Sequence, residues 1–258
     1  MATHADRRRQ AKAEDVLLAR GLDPRSQAVE PLLALMRRLY DHLEKAKRKH
    51  DLAPLLDYLY GCMQGSLAAL RDVKTGCRKG CWFCCTTWVD ATAPELIYAM
   101  RDVRRGSPKA RRAADAFARF GALPFVERAR TVAPCPMLED NACSIYDDRP
   151  ALCRAAASTD AAACERAFLM LAPEPFPSPV LHVRTGTDYA LAVAAALKHA
   201  GLNHRTLELM GGMARVLVTD NAEARWLDGE DIFAGLQTGP HDTLADPHHD
   251  ALYRAAFA

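Results

Sequence analysis

Eight of the nine cysteines in this 258-residue chain fall between Cys77 and Cys164, a stretch of 88 residues. No other feature limits the fold as strongly, because thiols so crowded must be bridged, buried one by one or gathered on metal. The first group runs Cys77-Arg78-Lys79-Gly80-Cys81-Trp82-Phe83-Cys84-Cys85. The second comprises Cys135, Cys143 and Cys153, with Cys164 ten residues beyond Arg154. Thiolates are soft ligands that select zinc, copper(I) or iron–sulfur centres over magnesium or calcium. Gaps of two or three residues let two sulfurs reach one metal, and Gly80 permits a tight backbone turn between them. The 49 residues separating Cys85 from Cys135 mean that a single site would be closed by tertiary structure, with metal stapling the fold.

Other fates for these thiols are weaker. Isolated core cysteines would not concentrate in one region punctuated by Pro, Gly and aromatic residues. Disulfides need an oxidising compartment. Residues 1–10 hold Arg7, Arg8 and Arg9 with no apolar stretch behind them, so no secretory signal is expected, and no run approaches the 18 apolar residues of a membrane span. A cytoplasmic protein is the expectation. The vicinal Cys84-Cys85 pair does not form an ordinary unstrained bridge with itself. Cys81-Trp82-Phe83-Cys84 matches the C-x-x-C of a redox dithiol, but the βαβ pattern that accompanies a thioredoxin-like motif is absent. Eight thiolates suffice for two four-ligand centres, or for one centre with spare thiols. Adjacent Cys84 and Cys85 feed two metals or both reach one cubane. No histidine lies between Cys77 and Cys164, which favours an iron–sulfur cluster over zinc. Arg78, Lys79, Arg149 and Arg154 bring compensating positive charge, and Tyr146 is expected to pack beneath the site.

The pattern Cys77-x3-Cys81-x2-Cys84-Cys85, then Cys135-Pro136, Cys143-Ser144-Ile145-Tyr146, Arg149-Pro150 and Cys153-Arg154, resembles the YkgJ-type cysteine-cluster family, a zinc- or iron-chelating family with a CxxCxxCC signature. The resemblance covers about a third of the chain. It implies a metal carried by Cys77, Cys81, Cys84, Cys85, Cys135, Cys143 and Cys153, with Cys164 matching a less constant cysteine. A related cluster in the flagellin lysine methylase group is associated with an iron–sulfur centre. The family has no settled reaction, so the resemblance supplies a metal and no substrate.

Around this region the sequence predicts helices. Val29, Leu32, Leu33, Leu35, Met36, Leu39 and Leu43 form an apolar stripe over residues 26–49, ending in Lys45, Lys47, Arg48 and Lys49, the sign that suits a helix C-terminus. A second helix after Pro54 packs antiparallel to the first and takes Cys62 into the core. Shorter helices are predicted over residues 11–20, 93–105, 109–120, 187–200, 206–217 and 221–226. Residues 86–91 and 180–183 favour short strands. Residues 239–258, with His241, His248 and His249 among aspartates, read as a frayed tail. The expectation is a mainly α protein: a helical body around a cysteine-rich, metal-stapled irregular core with at most one or two short strands. Its regions are residues 1–75, helical; 76–170, the cysteine cluster; 171–184, a proline-rich connector; and 185–258, helical and packed with the cluster.

The net charge of +2 conceals a split. Residues 1–130 hold 25 Lys and Arg against 15 Asp and Glu, and residues 131–258 hold 9 against 17. A basic half can meet nucleic acid, although no recognisable nucleic-acid module accompanies it. Phosphate-loop, dinucleotide-binding, H-E-x-x-H and G-x-S-x-G motifs are absent, and no residue is assigned a catalytic role. Three readings stay open: a cytoplasmic metal-binding protein with an iron–sulfur or zinc centre and a protein partner or substrate; an iron–sulfur-dependent enzyme of protein modification or electron transfer; and a nucleic-acid-associated protein with structural zinc.

Overall fold

Helix α1 (Glu30–Lys49) buries Leu33, Met36, Leu39, Leu43 and Ala46, one face at helical spacing, and ends on Lys47, Arg48 and Lys49. The computed structural model describes residues 29–78, 80–171, 177–240 and 242–258. The predicted helix over residues 11–20, Lys79, His241 and the prolines Pro173 and Pro175 of the connector lie outside them. Helix α2 (Ala53–Ala68) starts with Pro54 in its first turn and buries Leu55, Leu56, Leu59, Tyr60 and Met63. Cys62 is half-buried against the same core. Two segments follow the first cysteine group. Strand β1 (Asp90–Ala91) leads into α3 (Ala93–Met100), in which every residue is buried. That helix opens with a capping box, Thr92 and Glu95, and Pro94 in the first turn. It ends five residues before the predicted boundary at residue 105. Helix α4 (Pro108–Phe120) is capped by Ser107, and α5 (Phe125–Arg128) is a single turn.

Strands β2 (Leu138–Glu139) and β3 (Ala142–Cys143) pair antiparallel, and α6 (Ala151–Ala155) and α7 (Ala161–Phe168) complete the cysteine region. Helix α8 (Val180–His199) then runs back through the core, buried on all sides from Leu191 to Leu197. Strand β4 (Leu207–Glu208) pairs antiparallel with β1, Asp90 facing Glu208 and Ala91 facing Leu207. Helices α9 (Leu209–Val218), α10 (Ala222–Leu227) and α11 (Pro247–Phe257) follow. Among the described residues the fold is thus mainly α, with two small antiparallel sheets of two strands each. Helix α8 packs most extensively on α1 and α6, α11 covers α1, and α9 crosses both α3 and α4.

Two elements differ from expectation. Residues 180–183 are the first turn of α8 and not a strand. Pro179, at φ −61°, leads directly into the helix, and the β-branched valines there follow the tertiary packing of the turns beyond. The helix expected over residues 187–200 thus starts two turns earlier, and Thr187 lies within it, its hydroxyl donating to the Val183 carbonyl one turn back, at 3.0 Å. The C-terminal region is also no frayed tail. Asp246 accepts from the amides of His248 and His249 at 2.8 and 3.3 Å and so caps α11, whose Ala251, Leu252 and Ala256 are buried.

Candidate metal centre

The cysteines are held by four separate pieces of backbone. In the first, Gly76 lies so close to the start of α7 that a Cβ there would meet Ala161 N at 2.8 Å and Thr159 O at 3.0 Å; its amide donates to Ser158 O at 2.7 Å. This contact seats Cys77, whose Sγ accepts the Ser158 amide at 3.4 Å. Gly80, at φ +83°, turns the chain, and Cys81 N donates to Arg78 O at 2.9 Å. Cys84 and Cys85 sit on a short 3-10 helix, Phe83–Thr86.

The second piece is laced to the first. Cys135 N donates to Cys85 O at 2.7 Å and Ala133 N to Thr86 O at 3.0 Å. Beneath the joint lies Arg128, 1 % exposed. Its guanidinium donates to the carbonyls of Thr86, Thr87 and Thr131 at 3.3, 3.3 and 3.4 Å, and Glu208 stands 3.9 Å from it. From Cys135 the β2–β3 hairpin turns at Asp140 and Asn141, both left-handed with φ 48° and 59°, as a two-residue hairpin loop of mirror-image type requires. Cys143 returns opposite Leu138.

The third and fourth pieces are short helices. Cys153 lies on α6, whose first amide, Ala151 N, donates to Glu95 Oε1 at 2.7 Å. The other Glu95 oxygen accepts from Thr92 N and Thr92 Oγ1 at 2.9 and 2.7 Å. One buried carboxylate therefore starts α3 and pins the helix that carries Cys153. Cys164 lies on α7, capped by Asp160, which accepts from Ala162 N at 2.8 Å and Ala163 N at 3.1 Å.

All eight predicted cysteines are in the thiol form; Cys164 is buried, Cys77 exposed and the other six half-buried. Burial pushes the Cys77 thiol up, and Cys81 and Cys84 add to this. Cys164 rises through burial against the Ser158 hydroxyl bond, with Cys77, Cys84 and Cys81 beside it. Cys84 is raised strongly by its hydrogen bond to the Cys85 thiol and by burial. Burial takes Cys135 up to about 12, with Cys143 and Glu208 contributing and Arg128 opposing. Cys143 and Cys153 are raised by burial, and Arg149 opposes the rise in both. Cys153 also feels Cys135, Cys143 and Cys84.

The structure thus brings the eight thiols into one region, linked through Cys84. It does not draw them into a coordination sphere: among the described residues no three His, Cys, Asp or Glu side chains form a group able to hold a metal ion. The donor chemistry nonetheless fits zinc or iron. The side chains are soft and free of disulfides, and Arg149, whose buried Nε has no hydrogen-bond acceptor, acts on Cys84, Cys143 and Cys153. Binding would replace thiol protons by metal and close the remaining gap.

The predicted charge shell changes in detail. Arg149 acts on Cys84, Cys143 and Cys153, but Arg154 turns to the Tyr60 ring, 3.8 Å from its centroid. Arg128 and Lys109 supply charge that the sequence pattern missed. Tyr146 does not pack beneath the site. It is 58 % exposed, with the Arg149 guanidinium 3.7 Å over its ring. Of the supporting residues that sequence reasoning passed over, Glu95 was open to detection through its Thr-x-x-Glu spacing; Ser158, Arg128 and Glu208 act only through tertiary contacts.

Comparison of the chain with curated proteins and with solved structures gives no match. Residues 76–171, the span that holds all eight of these cysteines, match the family model described as CxxCxxCC: Putative zinc- or iron-chelating domain, the same family that the cysteine spacing resembles.

Proposed function

We propose that this protein is a metal-binding protein whose Cys77, Cys81, Cys84, Cys85, Cys135, Cys143, Cys153 and Cys164 carry a zinc or iron–sulfur centre, with the helices as its scaffold. The observation that carries the reading is the meeting of sequence-distant segments around the Cys84–Cys85 pair: the Cys84 thiol acts on those of Cys77, Cys153 and Cys164, and Cys135 N donates to Cys85 O at 2.7 Å. Packing for its own sake does not call for eight thiols there. Absence of histidine from the region favours the iron–sulfur form, and free thiols throughout suit a reducing compartment, the cytoplasm.

Purification without oxygen, a visible spectrum, and iron, sulfide and zinc analysis per chain test this directly. Brown protein with stoichiometric iron and sulfide is the expected outcome. Colourless protein with bound zinc would retain the metal-binding reading and remove the iron–sulfur form. Protein that takes up neither zinc nor iron with sulfide would overturn the reading.

A further inference from the structure

Helix α8 begins bare. Val180, Leu181 and Val183, on its first turn, are 78, 50 and 52 % exposed, and Thr187 is exposed one turn beyond Val183. Val180, Val183 and Thr187 stand on one line of the helix, at i, i+3 and i+7. The same line continues through Leu191 and Ala194, both 1 % exposed. This face is therefore covered only where α8 enters the body.

The neighbouring helices explain where the cover stops. Helices α1 and α2 run antiparallel about the turn between Lys49 and Ala53, with the His42 and Tyr58 rings stacked at 4.5 Å. Helix α2 is also antiparallel to α8. Ser66, near the end of α2, hydrogen-bonds Tyr189 at 2.9 Å, while Leu55, Leu56 and Leu59, near its start, meet Val193, Ala196 and Leu197 around a small cavity. Helices α1 and α8 are thus parallel, and they are in step at Tyr40 and His199, whose rings lie 4.6 Å apart. Ten residues back from this contact α1 starts at Glu30, where α8 has already run from Val180 to Tyr189. The turns from Val180 to Asp188 project beyond the start of α1 by about 13 Å, at ~1.5 Å per residue.

The chain enters α1 from that same end. Val29, 6 % exposed, precedes the first turn of α1, so the residues before it arrive beside the bare turns. The sequence predicts a helix over residues 11–20, with Ala13, Val16 and Leu17 on one face and Lys12, Glu14 and Asp15 off it. Ten helical residues are ~15 Å long, which matches the bare stretch. The connecting residues 21–28 reach up to ~26–29 Å when extended. So short a linker holds the segment at an effective concentration of the order of millimolar, far above that of a second copy in dilute protein.

We propose that residues 11–20 are the partner of this face: a helix of the same chain that lays Ala13, Val16 and Leu17 against Val180, Val183 and Thr187 and adds one element to the helical body. The docking surface adjoins the cysteine region. Pro177, three residues before Val180, accepts from Thr159 N at 2.9 Å, next to the Ser158 that seats Cys77.

Hydrogen exchange of the full chain, read by mass spectrometry, tests the proposal. The amides of residues 11–20 should exchange at least ~10-fold more slowly than in a free peptide of the same sequence. Val180→Asp combined with Val183→Asp should remove that protection, as should Leu17→Asp, while α1 and α2 keep theirs. Both valines are exposed, so the body stays folded without them, which far-UV circular dichroism checks. Val218→Asp, at a valine of α9 that is 70 % exposed, should leave residues 11–20 protected. Sedimentation should give one mass for the wild type and the α8 variant. A dimer that the α8 substitutions split would assign the face to a second copy and overturn the proposal. Unprotected residues 11–20 in the wild type, protection that survives the α8 substitutions, or an equal loss in Val218→Asp would overturn it as well. The metal analysis above is independent of all these outcomes.

Discussion

Glu95 shows how far one side chain can set the geometry of a cysteine that it does not touch. Its carboxylate accepts three hydrogen bonds, two at Thr92 and one at Ala151 N, and it is 4 % exposed. Glu95→Ala should cost about 2–4 kcal/mol, because buried donors at both sites lose their acceptor; urea denaturation of the metal-free chain measures it. The thiols set the pH response. The raised pKa values of Cys77, Cys84, Cys135, Cys143, Cys153 and Cys164 keep these thiols protonated near neutrality, so metal must expel protons and acid must oppose binding. Zinc affinity should climb steeply from pH 6.5 to 7.5, with about four protons released per zinc. Competition with a chelator across that range checks the slope, and a flat response would exclude thiol ligation. In the metal-free chain the sign is opposite. Cys135 moves from 9.0 to about 12, so the unfolded state gives up this proton first; the contribution to stability is fully present below pH 9.0 and is lost as pH rises towards 12.

At the level of elements, close approach decides what helical periodicity leaves open. The Gly211-Gly212 pair in α9 reads either as a weak spot or as a packing surface, and the structure makes it the latter. A Cβ on Gly212 would overlap the Leu96 side chain of α3, which is 0 % exposed and has no space to retreat. Gly212→Ala should therefore destabilise by ~1–3 kcal/mol, despite the gain in helix propensity, as thermal denaturation would show. In the hairpin, Asn141 occupies a left-handed conformation. Asn141→Gly should be tolerated, whereas Asn141→Val should cost about 1–2 kcal/mol and reduce metal uptake by displacing Cys143 relative to Cys135. Elements were misjudged where long-range partners outweighed local composition. The valines at residues 180–183 belong to a helix docked on α1 and α6 farther along, and the polar C-terminus folds because α11 finds α1.

Across the whole molecule, the two oppositely charged halves are braced against each other. Arg101 pairs with Asp148 at 3.0 Å and Lys109 with Glu139 at 3.8 Å, and Arg105 and Arg112 pair with Asp220 and Glu139. These pairs are partly exposed and each contributes little, of the order of 0–1 kcal/mol, but they use within the fold charge that would otherwise face an acidic partner. Helices α1, α2, α3 and α8 carry none of the eight ligand candidates, and of the eight only Cys135 and Cys153 pack against the apolar core. Metal removal should therefore lower the melting temperature while most of the far-UV helical signal persists at 25 °C; loss of that signal on chelation would show that the body, too, depends on metal. The sequence by itself determined the helical class, the main helices from residue 30 onward and the identity of the ligand candidates, because apolar spacing and thiol chemistry are local properties. Only the tertiary structure decided that Ser158 seats Cys77, that Glu95 pins the helix of Cys153 and that Arg128 clamps the Cys85–Cys135 joint. Those contacts span from 42 to 81 residues of chain, and their strength depends on burial that no short stretch of sequence contains.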